Sequence, residues 1–201
     1  MIDVVMVRHA MTAWNEAGRI QGRIDVPLGE RGREALTGRR LPARFASYRV
    51  HSSPLARAVE TVALLGLGAP VLDRRLMEMD WGDWEGKTRA SVAATGACAV
   101  ACNEARGPDF RPPGGESPRE LQARILDWAR SVARLRHDVV AVTHKGVVKA
   151  TLGLACGWDL TGKSPVRLDW SCLHRFRFAP GGGEFVLVEP NVPLERKGCS
   201  A

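Results

Sequence analysis

Three extended segments of this chain each end in a cation or an imidazole and then run into helical sequence. The first is the apolar run Val4-Val5-Met6-Val7, followed at once by Arg8-His9. The second ends Tyr48-Arg49-Val50 and turns through His51-Ser52-Ser53-Pro54 toward Arg57. The third is Val139-Val140-Ala141-Val142, which leads through Thr143 to His144 and Lys145. A run of large aliphatic residues suits a strand buried on both faces, as in parallel sheets covered by helices. Residues just past the C-terminal ends of such strands emerge where open α/β sheets hold their ligands. The pattern constrains the chain to an α/β architecture and sends Arg8, His9, Arg57 and His144 to one edge of it.

The remaining patterning fills in that architecture. Strands are expected near 3–8, 48–52, 139–143, 172–178 and 184–188, and helices near 31–45, 55–65, 118–135 and 146–156. Pro54 fits a first helical turn, with Ser52 or Ser53 as its cap. Gly181-Gly182-Gly183 reads as a hairpin turn between the last two strands, and the chain from about Pro193 as a tail. The expected fold is a three-layer α/β/α sandwich with a mostly parallel central sheet flanked by helices. One domain covers residues 1–201, with a small helical cap insertion at about 88–116 lying over the C-terminal edge of the sheet.

An imidazole beside a guanidinium at a strand end suits a histidine nucleophile aimed at a phosphate. Six blocks, in order along residues 4 to 150, carry a closer likeness. They are Arg8-His9-Ala10-Met11-Thr12-Ala13-Trp14-Asn15, Gln21-Gly22-Arg23-Ile24-Asp25-Val26-Pro27-Leu28-Gly29-Glu30-Arg31-Gly32, and Ser53-Pro54-Leu55-Ala56-Arg57-Ala58 with Thr61. The others run from Leu76 through Glu78 to Gly86, from Pro113 to Ser117, and over Val142-Thr143-His144. In these blocks the sequence resembles the histidine phosphatase superfamily, the phosphoglycerate mutase-like proteins.

The resemblance implies that His9 takes up a phosphoryl group while Arg8, Arg57 and His144 bind its oxygens. It also implies that Glu78 is the proton donor and that Asn15, Gln21 and Gly22 belong to the phosphate pocket. General chemistry agrees. Charge spreads over the equatorial oxygens during phosphoryl transfer, so fixed cations and donors supply much of the catalysis. Arginine holds two oxygens at once and stays charged. Adjacent guanidinium groups favour the neutral, nucleophilic imidazole, and a carboxylic acid can protonate the leaving alkoxide. Cations would keep Glu78 ionised unless burial or the bound phosphate opposes them.

The chain departs from the family pattern at Ala10 and Lys145, where glycine is usual, and at Met11, where relatives are often polar or acidic. Ala10 is strained if its position needs a positive φ and harmless if only a small side chain is required. Lys145 either points into solvent or adds a substrate-binding cation for a multiply charged ligand.

The reading that follows is a metal-independent phosphomonoesterase that works through a phosphohistidine on a small phosphorylated metabolite, with no metal and no organic cofactor. The compact layout and the Pro113-to-Ser117 block look most like the broad phosphatases, including the alpha-ribazole phosphatases. The alternatives are a phosphoglycerate mutase, whose family members are longer, and a noncatalytic phospholigand-binding protein.

Composition sets the remaining limits. The net charge of +7 raises the question of nucleic acid, and the densest basic stretch is Arg31, Arg33, Arg39, Arg40 and Arg44. With Leu36, Leu41 and Phe45 interleaved, it reads as the solvated face of one helix, and no nucleic-acid module is recognisable. The five cysteines, Cys98, Cys102, Cys156, Cys172 and Cys199, are odd in number and irregular in spacing, unlike a secreted disulfide framework. Cys98 and Cys102 could share a helix face but lack a second ligand pair for a metal. Trp81 and Trp84 flank the Glu78 block, as pocket lining or as packing. No apolar stretch approaches a membrane span, and the chain enters its first strand without a signal pattern, so no membrane partner and a cytoplasmic location are expected. A homodimer is compatible with the sequence.

Overall fold

The aliphatic run near the N-terminus forms the strand at the centre of the molecule, β1 (Ile2–Arg8), and its side chains alternate between two cores. Val4 and Met6 join one buried cluster, Val5 and Val7 the other. This computed structural model describes residues 1–198, with the side chains of 97–99 outside that description. The next elements are α1 (Ala13–Glu16), α2 (Glu30–Leu36), β2 (Arg39–Arg40), β3 (Arg49–Ser52), α3 (Ala56–Leu65) and β4 (Val71–Leu72). They are followed by α4 (Arg89–Ala94), α5 (Ala97–Glu104), α6 (Pro118–Arg134), β5 (Val139–Thr143) and α7 (Lys145–Cys156). The last are β6 (Leu173–Ala179), β7 (Glu184–Val192) and β8 (Glu195–Arg196).

The main sheet has the order β4-β3-β5-β1-β6-β7. Its first four strands are mutually parallel, and β6 and β7 add antiparallel at the far edge. Helices α6 and α7 cover one face through Leu121, Ile125, Trp128, Val132, Val147 and Val148. Helices α2 and α3 cover the other through Leu36, Ala58, Val62 and Leu65. The three-layer sandwich expected from the sequence is the fold observed. Residues 88–116 form the expected helical excursion, made of α4, α5 and a 3₁₀ turn at Gly107–Asp109. Helix α6 starts where its sequence says it should: Ser117 caps it in a reciprocal pair with Glu120, and Pro118 fills the first turn.

Several expectations need correction. The helix expected over 31–45 stops at Leu36. Gly38 adopts φ +68° and leads the chain out, Arg39 and Arg40 become a strand, and Pro42 precedes a short 3₁₀ turn at Ala43–Phe45. The arginines of that stretch therefore do not share one helix face, although Leu36, Leu41 and Phe45 are buried as expected. The stretch from Pro193 is no tail, because β8 pairs antiparallel with β2 and Leu194 packs against the core. Pro54 lies ahead of α3 rather than in its first turn, and no side chain of the N-cap residue caps that helix. Ser53 Oγ accepts instead from the N–H of Leu55, and the carboxylate of distant Asp25 accepts from the N–H of Ala56 at 2.8 Å. Strand β7 runs to Val192, beyond the expected 188.

The loop after β1 is braced from below by α2. Buried Gly32 packs against the backbone of Met11 so closely that a Cβ there would lie 2.1 Å from the Met11 carbonyl oxygen. Met11 is two residues beyond His9, so this contact sets the height of the loop that carries the imidazole. Gly32→Ala is expected to lower the stability by about 1–3 kcal/mol, the usual range for overpacking, read from urea denaturation.

Candidate active site

The ends of β1, β5 and β3 lie side by side, and each ladder continues one bond past its strand. His9 N–H donates to the Thr143 carbonyl at 2.8 Å, and Ser53 N–H to the Val142 carbonyl at 3.0 Å. These bonds fix His9, Ser53 and His144 as neighbours. The rings of His9 and His144 have centroids 5.0 Å apart.

His9 is buried. Its Nδ1 lies 2.6 Å from the Ala10 carbonyl, an acceptor only, so Nδ1 carries the proton and Nε2 keeps its lone pair. Burial, then the charges of Arg57 and Arg8, hold the imidazole well below the usual histidine range. Ala10 does not adopt a positive φ; among the described non-glycine residues only Arg136, Leu160 and Asn191 do. Alanine is therefore accommodated there, with its N–H donating to Thr61 Oγ1 at 3.1 Å.

Arg57 is fully buried. Its Nη2 donates to the Gly22 carbonyl at 2.6 Å, its Nη1 to Ile24 at 3.2 Å, and its Nε to His144 Nδ1 at 3.3 Å. His144 thereby keeps its proton on Nε2, which lies 2.8 Å from Ser53 Oγ. Burial, then His9 and the arginines, also keeps His144 well below the usual range. Gly22 stands behind Arg57 rather than on the cleft wall. A Cβ at that position would lie 2.0 Å from Glu85 Oε1. The Glu85 carboxylate accepts from the N–H groups of Arg23 and Ile24 at 2.7 and 2.8 Å, which presses this loop into place.

Glu78 is buried across the cleft, where its carboxyl accepts from the N–H of Gly146 at 3.0 Å and of Met79 at 2.9 Å. Burial raises its pKa, and these two donors and the charges of Arg57 and Arg124 oppose the rise without cancelling it. That answers the question the sequence left open. Thr143 Oγ1 donates to the Leu76 carbonyl, and Arg124 to the carbonyls of Arg75 and Glu78. Arg124 also makes a forked pair with Glu116, whose Oε2 accepts from Asp80 N–H. The block from Pro113 to Ser117 thus holds the Glu78 segment.

A cleft of about 400 Å³ is lined by Arg8, His9, Asn15, Gln21, Glu78 and Lys145, together with Arg19, Arg89 and Lys149. Gln21 Oε1 accepts from Asn15 Nδ2 and Thr12 Oγ1, while its buried Nε2 has no partner. Arg8 likewise has a buried, unpartnered Nε, and its guanidinium lies 5.9 Å from the centre of the Trp170 ring. Of the expected site residues, these six line the cleft, whereas Arg57 and His144 lie buried beneath it. Sequence reasoning missed Arg19, Arg89, Lys149, Arg124 and Trp170, which fall outside any short motif. Trp81 lines the cleft and a neighbouring cavity, while Trp84 is buried against Phe110. Among the described residues no His, Cys, Asp and Glu group is placed to hold a metal. The side chain of Cys98 and all of Cys199 lie outside that description, and no described helix is long and apolar enough to cross a membrane.

A family profile described as histidine phosphatase superfamily (branch 1) matches residues 4–191. A glucosyl-3-phosphoglycerate phosphatase of Mycolicibacterium vanbaalenii is 34% identical over 179 residues, covering 79% of this chain and 78% of that protein. A 2,3-bisphosphoglycerate-dependent phosphoglycerate mutase of Gloeobacter violaceus is 32% identical, covering 76% and 74%. The structure of a mycobacterial glucosyl-3-phosphoglycerate phosphatase complexed with VO3 superposes with TM-score 0.77 at 26% identity, covering 96% of this chain and 100% of that one.

Histidine titration by ¹⁵N NMR, assigned with His9→Gln and His144→Gln, tests the electrostatics directly. His9 is expected as the neutral Nδ1–H tautomer, and neither imidazole is expected to protonate as pH falls from 6.5 to about 5.5, where a free histidine would. A normal titration of His9 would remove the case for a neutral nucleophile held between guanidinium groups.

Proposed function

The chain belongs to the histidine phosphatase superfamily, and from that premise we propose that it hydrolyses small phosphate monoesters through a phosphohistidine on His9. The observation that carries this reading is the pairing of opposite burial effects across one cleft: His9, held well below the usual histidine range, and Glu78, whose carboxyl pKa is raised, line the same space.

In the first step the lone pair of His9 Nε2 attacks phosphorus and the P–O ester bond breaks. The leaving alkoxide takes the proton of Glu78. The ring becomes cationic, and its Nδ1–H donates to the Ala10 carbonyl, which holds the charge where it forms. Arg8, Arg57, Asn15 and the free Nε2 donor of Gln21 stabilise the transferring oxygens. His144 moves its Nε2–H from Ser53 Oγ onto one of them. In the second step the Glu78 carboxylate takes a proton from water, the oxygen attacks phosphorus, and the P–N bond breaks. Inorganic phosphate leaves with neutral His9 and protonated Glu78 restored. Metal and organic cofactors have no part in this scheme.

A mutase reading is supported by the Gloeobacter relative and differs only in the second acceptor, a substrate hydroxyl in place of water. Product analysis separates the two.

The first measurement is phosphate release in EDTA from a panel of monoesters that includes 3-phosphoglycerate, sugar phosphates and alpha-ribazole phosphate. Release should vanish in His9→Ala, and phosphoglycerate isomerised without release would establish the mutase instead. Vanadate, which adopts the five-coordinate geometry of the transfer, should inhibit the wild type.

Glu78→Gln should slow alkyl phosphates by about 10²-fold or more while sparing p-nitrophenyl phosphate, whose leaving group needs no proton. The pH profile follows from the two shifts. The acid-side fall should come below pH 6.5, where His9 protonates, and the alkaline-side fall above pH 4.5, as Glu78 loses its proton. Equal loss on both ester types in Glu78→Gln would count against the proton-donor role.

A further inference from the structure

On the proposed reading Arg8 and Arg57 both meet the phosphate, yet the protein holds them in opposite ways. Arg57 is fixed by its own donors, to the Gly22 and Ile24 carbonyls and to the His144 ring. Arg8 has no such anchor. Its Nε is buried without a hydrogen-bond partner, and among the described residues no carboxylate forms an ion pair with its guanidinium. Burial weakens proton binding at Arg8, and the Glu78 carboxyl opposes this only in part. An arginine left without partners would give up rotamer freedom each time it met a ligand. What the guanidinium does meet is the ring of Trp170, whose centre lies 5.9 Å away.

Strand register puts that ring in place. Strand β6 runs antiparallel to β1 with Leu173 opposite Val7, so the residues ahead of β6 lie beyond the end of β1, beside Arg8. Along β1, Arg8 follows Val4 and Met6 on the face covered by α7, and His174 stands opposite Met6. The Trp170 ring meets the buried His174 ring at 76°, with centroids 6.1 Å apart. The backbone around Trp170 is pinned as well. Asp169 Oδ1 accepts from the N–H and the hydroxyl of Ser171, while Asp169 N–H donates to Asn191 Oδ1 at 2.6 Å. Asn191, in β7 at φ +57°, also donates from Nδ2 to the Arg167 carbonyl and from its N–H to His174 Nδ1. One left-handed asparagine thus ties the turn that carries the indole to the imidazole that backs it.

An indole face attracts a cation through the ring quadrupole and leaves the cation's N–H groups unengaged. A carboxylate in the same place would cancel the charge and occupy the donors that a phosphate needs. We propose that Trp170 is a positioning residue: its ring holds the Arg8 guanidinium ready for phosphate oxygens, with charge and donors both left free. The proposal rests on the phosphomonoesterase reading for the ligand that Arg8 meets.

Binding of inorganic phosphate across a double-mutant cycle tests this without turnover, by calorimetry and, where binding is weak, by ³¹P NMR titration. Trp170→Leu should weaken phosphate binding about 5- to 30-fold, the equivalent of a partly desolvated cation–π contact. Trp170→Phe, which keeps an aromatic face, should recover most of that loss. In an Arg8→Gln background the same Trp170→Leu change should cost no more than about 2-fold further. A merely structural tryptophan would cost the same in both backgrounds. Lys145 Nζ rests 5.2 Å from the centre of the same ring, and the cycle separates its share from that of Arg8. Circular dichroism checks that each variant is folded, and Trp170→Gln, suited to a half-exposed position, replaces the leucine variant if that one unfolds. Equal losses in the two backgrounds, wild-type affinity in Trp170→Leu, no recovery in Trp170→Phe, or no phosphate binding by the wild type each overturns the positioning role. Hydrolysis is read separately: a wild-type protein that binds phosphate through this pair but releases none from any monoester loses the phosphatase reading alone.

Discussion

The parallel pairing of β1 and β3 with β5 is the constraint on which the site depends. Arg8 stands opposite Thr143 and Ser52 opposite Val142, so three strands finish within one rung of each other. The ladder bonds from His9 and Ser53 then carry that order one residue beyond the strands. Because side chains alternate along a strand, a register slip of one residue would send the aliphatic side chains to the wrong cores and pull the imidazoles apart. The two hydrophobic clusters therefore protect the catalytic geometry as well as the fold. Their residues Val7 on β1 and Val142 on β5 lie two positions from His9 and His144.

Burial then acts in opposite directions on the groups gathered there. Loss of water disfavours charge, which holds His9 and His144 well below the usual histidine range and raises the pKa of the Glu78 carboxyl. The same loss of water weakens proton binding at Arg57, yet a guanidinium keeps its proton over any ordinary pH range. It is retained because the carbonyls of Gly22 and Ile24 and the His144 ring satisfy its donors. The cleft thus keeps fixed positive charge beside an imidazole and a carboxyl that burial pushes toward their neutral forms. An arriving phosphate meets donors that are already oriented, so little reorganisation is required during transfer.

Much of this was legible in the sequence, for identifiable reasons. The runs ending at Arg8, Ser52 and Thr143 are short and aliphatic, and their strands were placed within one or two residues. Ser117 and Pro118 announce α6 through local capping chemistry that needs no tertiary context. The failures lie where distant residues decide. Helical periodicity through 31–45 gave no sign that Arg39 and Arg40 would pair with Glu195 and Arg196, some 150 residues away. Pro54 and the serines looked like a helix start, but the donor of Ala56 is satisfied by Asp25 from another loop. Around the cleft, the sequence singled out the motif-bearing residues but not Arg124, Trp170, Arg89 or Lys149. Each of these acts through a contact across the fold, with a peptide carbonyl, a ring or a cavity wall, and leaves no local pattern.

Lys145 and Gly146 show how the site separates reaction from selection. Gly146 has almost no freedom, since its N–H binds Glu78 Oε2 and a Cβ there would lie 2.2 Å from Oε1. Any side chain at that position would push the Glu78 carboxyl out of place. Lys145, one residue earlier, is exposed and rests over the face of Trp170. It can change without disturbing the carboxyl. Lys149 and Arg89 also line the cleft. On the proposed reading, Glu78 is held by close backbone approach, whereas Lys145, Lys149 and Arg89 lie along the cleft wall.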